Sequence, residues 1–245
     1  MVIDKRVGFI GGVGIRGDFR TWRDTHVRVI GPVIGEMSYA FEEMWNLSQE
    51  KGVFRRLKKT RIFTKGFSLV TNSPFLRKRF FYQELVATIR NAKHSVCLTT
   101  PYFIPDRRLR RILASAKGRG VETIVLIPEK SNHMWADRAG QAYFEKLLQR
   151  GVRIFQYKGE ILHAKTVVVD EDWASVGSFN LDSLSILYNY EANIVSTKPA
   201  FVEEVRGYFL ADLLQSEEIT LAQWLKRPRK QKMLELLTLP IRRFL

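Results

Sequence analysis

His163 and Lys165 stand two residues apart, and three further polar groups follow at fixed intervals: Asp170, then Ser178 and Asn180 just after Gly177. The run Thr166-Val167-Val168-Val169 is β-branched and predicts a strand. Residues i and i+2 of a strand share a face, so the imidazole and the ammonium project together. Such a pair suits phosphodiester chemistry. An imidazole attacks phosphorus or passes a proton to a leaving oxygen, and an ammonium neutralises a non-bridging oxygen. Ser178 and Asn180, again two apart, can offer neutral hydrogen bonds to the same phosphate. Asp170 has the opposite parity and is expected to face away and brace the turn. Glu191, in the strand-like run 190–195, is expected to hold the far ring nitrogen of His163 and fix its tautomer. Taken singly, these are a surface pair, two turn residues and a solvated strand charge. Their joint spacing carries the functional reading. No His, Cys or carboxylate cluster has metal-ligand spacing, so no metal or other cofactor is expected.

The elements that must position these groups occur twice. Val2-Ile3-Asp4 and Ile10-Gly11-Gly12 match Val168-Val169-Asp170 and Val176-Gly177-Ser178 at an offset of 166. Asp4 answers to Asp170, Gly11 to Gly177, Gly12 to Ser178 and Ile15 to Leu181. With one residue inserted, Asp24 answers to Glu191 and Pro32 to Pro199, each proline opening an amphipathic helix. The same offset puts the counterparts of His163 and Lys165 ahead of Met1, so the first copy is read as incomplete. Between and beyond these copies, strands at 67–70, 95–99, 122–127 and 153–157 alternate with helices at 79–91, 107–117 and 136–149, an α/β layer pattern. The expected organisation is residues 1–50 as the remnant of a first lobe, 51–65 as a basic connection, 66–215 as a complete second lobe and 216–245 as a basic amphipathic tail.

The net charge of +15 favours anionic partners: nucleic acid, an anionic membrane face or phosphorylated small molecules. Cys97 is the lone cysteine, which excludes an internal disulfide and reads as a small buried hydrophobe. No apolar stretch reaches the ~20 residues that cross a bilayer. In the tail, Thr220 and Gln223 fit a capping box, and Met233, Leu236, Leu237, Ile241 and Phe244 form a helical stripe. Lys230, Lys232, Glu235, Arg242 and Arg243 lie off that stripe, and Pro240 is expected to kink it. Such a helix either lies in the headgroup layer of an anionic membrane or packs on the body of the protein.

His163-x-Lys165-x4-Asp170-x6-Gly177-Ser178-x-Asn180 resembles the signature of the phospholipase D superfamily, and nearly the whole chain is similar to its bacterial cardiolipin synthases. Trp22-Arg23-Asp24-Thr25-His26, Thr100-Pro101-Tyr102-Phe103-Ile104-Pro105 and Ser216-Glu217-Glu218-Ile219-Thr220 carry the wider likeness. The resemblance implies two α/β lobes related by a pseudo-twofold axis, with mixed sheets flanked by helices and one active site between them. It implies transfer of a phosphatidyl group between two phosphatidylglycerols through a phosphohistidine, without a metal, on the cytoplasmic face of the bacterial membrane. His163, Lys165, Asp170 and Glu191 would then be catalytic, with Lys165, Ser178 and Asn180 on the phosphate. Asp4, Gly11, Gly12 and Asp24 would remain from the first half-site. Two other functions stay open: a phospholipase D-type nuclease or phosphodiesterase, and a membrane-binding remnant without catalysis. The aromatic loop 102–104 and the tail favour lipid over nucleic acid.

Overall fold

The computed structural model describes residues 1–12, 14, 17, 20–49, 66–73, 78–238 and 240. The expected basic connection at 51–65, the Ile15 counterpart of Leu181 and tail residues 241–245 lie outside the described residues.

Short β-branched runs separated by turns build a first sheet of β1 (Val2–Ile3), β2 (Val7–Gly11) and β3 (His26–Ile30), all antiparallel, followed by helix α1 (Val33–Gln49). The second sheet begins with β4 (Phe67–Ser73) and β5 (Lys78–Arg79). Then follow α2 (Phe80–Asn91), β6 (Ser95–Thr99), α3 (Arg107–Ala116), β7 (Glu122–Pro128), α4 (Met134–Gln141), α5 (Phe144–Gln149) and β8 (Arg153–Tyr157). The chain continues through β9 (Thr166–Val169), β10 (Trp173–Gly177), α6 (Ser183–Leu187), β11 (Glu191–Ser196) and α7 (Pro199–Leu214). It ends with β12 (Ser216–Ile219), α8 (Leu221–Leu225) and α9 (Arg229–Thr238). The nine strands run in the order β12-β8-β7-β6-β9-β10-β11-β4-β5. Among the described strands only β6–β7 and β7–β8 pair in parallel, joined by helical crossovers, so the sheet is mixed.

Alternation in β9 shows how the sheet is covered. Val167 and Val169 enter the core beneath α2, α3 and α5, whereas Val168 enters the core beneath α7 with Val205 and Phe209. A third cluster joins the two sheets: Val29, Val33, Ile34 and Met37 pack on Leu69 and Ile194. Glu36 of α1 also accepts a 2.9 Å hydrogen bond from the Leu69 amide.

The two copies in the sequence share their pairing residue for residue. Val2 faces Gly8 as Val168 faces Ala174, and Ile3 faces Val7 as Val169 faces Trp173. In the next pair, Gly11 faces His26 as Gly177 faces Asn193. Asp4 and Asp170 both close their hairpins at φ 52°, a left-handed conformation that aspartate tolerates better than most residues. Asp170 braces its turn as its parity requires. Its carboxylate accepts the amides of Lys93 at 2.9 Å and of His94 and Ser95 at 2.8 Å, tying the hairpin to the start of β6. Burial works to raise its pKa, and the three backbone donors outweigh burial and lower it. Asp170→Ala should destabilise the fold by about 2–4 kcal/mol in urea unfolding, because three amides lose a charged acceptor. That loss should shrink at acid pH, as the wild-type carboxylate protonates and gives up its own contribution. An unchanged midpoint at neutral pH would contradict the bracing role.

Two elements differ from expectation. The helix expected over 136–149 is split into α4 and α5, where the chain tightens with the Tyr143 amide on the Gly140 carbonyl at 3.0 Å. Gly140 lies against the Phe103 carbonyl, which a Cβ would approach to 2.4 Å. The segment expected to begin the tail forms an edge strand instead. β12 pairs with β8, and Arg153 holds Glu218 in two 2.8 Å bonds. Two glutamates weaken its strand signal, yet charge suits a sheet edge.

Candidate functional site

His163 and Lys165 sit on the extended segment immediately before β9, with Leu162 and Ala164 buried on its other face. The i, i+2 geometry brings the two side chains together: Lys165 Nζ lies 2.9 Å from His163 Nε2 and donates to the His163 carbonyl at 2.6 Å. His163 Nδ1 lies 2.8 Å from Asp24 Oδ2. Asp24 lies just ahead of β3 of the first sheet, and its other oxygen accepts the Thr25 amide at 2.7 Å. An ionised carboxylate only accepts, so Nδ1 carries the proton and Nε2 presents its lone pair to Lys165.

The first-lobe segment is stitched to this strand by its backbone. Arg23 bridges Leu162 in parallel, its amide donating to the Ile161 carbonyl at 2.9 Å and its carbonyl accepting the His163 amide at 2.8 Å. The Arg23 guanidinium adds a 2.7 Å ion pair with Asp212 at the end of α7. The Trp22 ring lies 5.1 Å from the His163 ring, covering one side of it. Gly12 leaves the room this arrangement needs. A Cβ there would lie 2.9 Å from both Asp24 Oδ2 and Lys165 Nζ.

Lys165 is 5% exposed. Burial pushes its ammonium down to about 8, while Asp24, Glu191 and Asp182 favour the charged form. The site is therefore an imidazole of fixed tautomer beside a dry ammonium. It can hold an anionic phosphate and offer nitrogen to phosphorus.

Glu191 does not hold His163. It accepts from Ser178 Oγ, from Ser185 Oγ at 2.6 Å and from Asn189 Nδ2 at 3.4 Å. Burial pushes its carboxyl above its ordinary value, against those donors. The carboxylate that meets His163 is Asp24, the repeat counterpart of Glu191, which lies just ahead of β3. Ser178 thus spends its hydroxyl proton on Glu191 and accepts the Ala192 amide at 3.1 Å. Asn180 donates to Ser185 Oγ from its amide at 3.2 Å and its side chain at 3.4 Å. Asp170 lies at the far end of β9, with the bracing contacts already given. Asp4 and Gly11 keep their repeat positions at the ends of the first hairpin, and Gly11 lies so close to His26 that a Cβ would overlap its ring.

Ser185 went unnoticed in the sequence. It is fully buried, and Asp182 caps its helix by accepting the Ser185 amide at 2.7 Å. The spacing Asp182-x-x-Ser185 is a helix-start signal that could have placed it. The loop read as lipid-facing is core: Phe103 is 4% and Ile104 1% exposed. A cleft of about 900 Å³ does open between the two sheets, lined by Phe9, Met37, Phe41 and Leu69, and it reaches Ser178 and Glu191. Among the described residues no group of His, Cys, Asp and Glu could hold a metal ion, and no helix is long and apolar enough to cross a membrane.

Residues 85–213 match the family described as cardiolipin synthase, PLD-like domain. The chain belongs to the phospholipase D-like cardiolipin synthase family. It is 34% identical to a cardiolipin synthase of Oceanobacillus iheyensis over 229 residues, covering 89% of this chain and 48% of that one. It is likewise 34% identical to a cardiolipin synthase of Listeria monocytogenes over 238 residues, covering 92% and 49%. The chain thus spans about half the length of these cardiolipin synthases. A crystal structure of phosphatidylserine synthase from Haemophilus influenzae shares the fold, with a TM-score of 0.72 at 12% identity, over 99% of this chain and 70% of that one. The mixed α/β architecture is that of the phospholipase D-like fold.

Proposed function

We propose that this chain carries one half of the active site of a phosphatidyltransferase of the cardiolipin synthase type. The observation that carries the reading is His163 held between Asp24 and Lys165, at 2.8 and 2.9 Å, in a chain of that family. The reaction moves a phosphatidyl group from one phosphatidylglycerol to a hydroxyl of another. In the first step an imidazole nitrogen bonds to phosphorus, the bond to the glycerol oxygen breaks, and a second imidazole gives that oxygen a proton. In the second step the incoming hydroxyl returns a proton to the second imidazole, its oxygen bonds to phosphorus, and the phosphorus–nitrogen bond breaks. Lys165 neutralises a non-bridging oxygen in both steps.

His163 supplies one imidazole, and the repeat assigns the other to the first half-site, at the position that answers to His163. Glu191 occupies the repeat position of Asp24 and would orient that second ring. Phosphatidylglycerol would present its phosphate to Lys165, with anionic phospholipid as the partner class and a membrane surface as the place of reaction.

The test is turnover of phosphatidylglycerol to cardiolipin and glycerol by two proteins. One is the chain alone. The other is the chain joined to an N-terminal segment carrying His-x-Lys 166 residues ahead of His163 and Lys165. The joined protein should turn over, and the chain alone should fall short by at least ~10²–10⁴-fold, because neither covalent capture nor proton return has its second group. Robust turnover by the chain alone would overturn the proposal. Cleavage of DNA by the joined protein, with no action on phosphatidylglycerol, would favour the nuclease reading instead.

A further inference from the structure

Surface helices ordinarily turn apolar residues inward and charge outward. Helix α9 does the reverse. Glu235 and Thr238 are 2% and 1% exposed, whereas Met233, Leu236 and Leu237 are 63%, 64% and 67% exposed. These three stand at i, i+3 and i+4 and so share one helix face. The helix therefore packs on the body, as one of the two sequence readings had it, but by its polar side.

A specific clamp fixes that orientation. Arg227 donates from Nε to one oxygen of Glu235 and from Nη2 to the other, each at 3.0 Å, and from Nη1 to Glu145 of α5 at 3.2 Å. Its guanidinium stacks 4.7 Å from the centre of the Trp224 ring, and Trp224 is buried 5.1 Å from Phe144. A buried carboxylate persists only when paired in this way. Rolling α9 to bury its leucines would break both bonds to Glu235 and leave Arg227 with Glu145 as its carboxylate. The outward apolar face is thus locked in place by charge-assisted bonds.

The charge around that face selects its occupant. Lys226, Arg229 and Lys230 are exposed, and Glu235, the acid of α9, is turned inward. The outward surface offers apolar groups and cations together. Met134 and Trp135, 59% and 51% exposed, open α4, the helix on which α9 packs. Tryptophan suits a boundary between water and an apolar phase. Two copies meeting through this face would set cation against cation. An apolar phase bounded by negative headgroups matches both features.

We propose that α9 is a docking face for an anionic lipid bilayer, held apolar side out by the Arg227–Glu235 clamp. The inference stands on the helix geometry and does not require the catalytic reading. The test is flotation of the chain with vesicles of phosphatidylcholine alone or mixed with phosphatidylglycerol. Binding should require phosphatidylglycerol and weaken with salt. The triple variant Met233→Gln/Leu236→Gln/Leu237→Gln should bind at least ~10-fold more weakly, and the pair Arg229→Glu/Lys230→Glu should lose the preference for anionic lipid. Both sets change exposed side chains, so circular dichroism and unfolding midpoints should hold. Equal binding by the triple variant would overturn the proposal, as would binding indifferent to phosphatidylglycerol. A fall from dimer to monomer by light scattering in the triple variant, with vesicle binding intact, would assign the face to a second copy.

Discussion

Asp24→Asn should cost a protein with both half-sites about 10²–10⁴-fold in turnover while leaving the fold intact. The reason is in the geometry of one carboxylate. Asp24 Oδ1 receives the Thr25 amide at 2.7 Å, and Oδ2 faces His163 Nδ1 at 2.8 Å. In the variant, the Thr25 donor keeps the single carbonyl oxygen on its own side. The new NH₂ group is then left facing Nδ1. It is a donor, so Nδ1 must give up its proton and Nε2 must take one. The lone pair beside Lys165 disappears, and with it the nitrogen that the proposed reaction uses. Nitrogen-detected NMR of the His163 ring should show the proton moved from Nδ1 to Nε2, even in the chain alone. A ring whose tautomer is unchanged, or full turnover with the variant, would remove Asp24 from the mechanism.

Lys165→Met should separate stability from binding. Burial moves the folded ammonium from the ordinary 10.5 to about 8. The charged form is thus held at a cost on the order of 3 kcal/mol near neutrality. From about pH 8 to about 10.5 the unfolded chain keeps this proton while the folded one has lost it, so this residue makes stability rise with pH across that window. The methionine variant should lack that rise. At pH 7 it should be as stable as wild type or more so, although the His163 carbonyl loses a donor. Phosphate binding should respond in the opposite sense, because the ammonium is the form that holds an anion. Wild-type affinity for inorganic phosphate, followed by calorimetry, should decline as pH rises through about 8, and the variant should bind weakly throughout. A stability difference that is flat with pH would contradict the dry ammonium.

Much of this was legible in the chain. The β-β-β-α repeat could be read because Asp4 and Asp170, Gly11 and Gly177, and Pro32 and Pro199 each answer to a backbone demand that recurs with the fold. Strand parity placed His163 beside Lys165 and turned Asp170 away from both. Parity says nothing about which lobe faces which, and there the reading of Glu191 failed. Its equivalence to Asp24 was visible, but which of the two carboxylates meets His163 is a property of three dimensions. The aromatic loop 102–104 failed for another reason. Composition cannot tell a Phe against lipid from a Phe against Phe144. The tail had a similar blind spot. Its stripe was plain, yet the buried clamp depends on Arg227 meeting Glu145, which is 82 positions away.

The bond between Asp24 and His163 spans 139 positions of chain. A local motif therefore does not arm its own histidine. The Nδ1–H tautomer is fixed only once the segment around Arg23 has been laid against Leu162 and pinned to Asp212. A nascent or partly melted chain, with its second sheet already formed, would display every motif residue and leave the imidazole without its fixed orientation. That dependence works as a fuse. Loosening the contact of Arg23 with Leu162 would free the imidazole even where β9 stays paired.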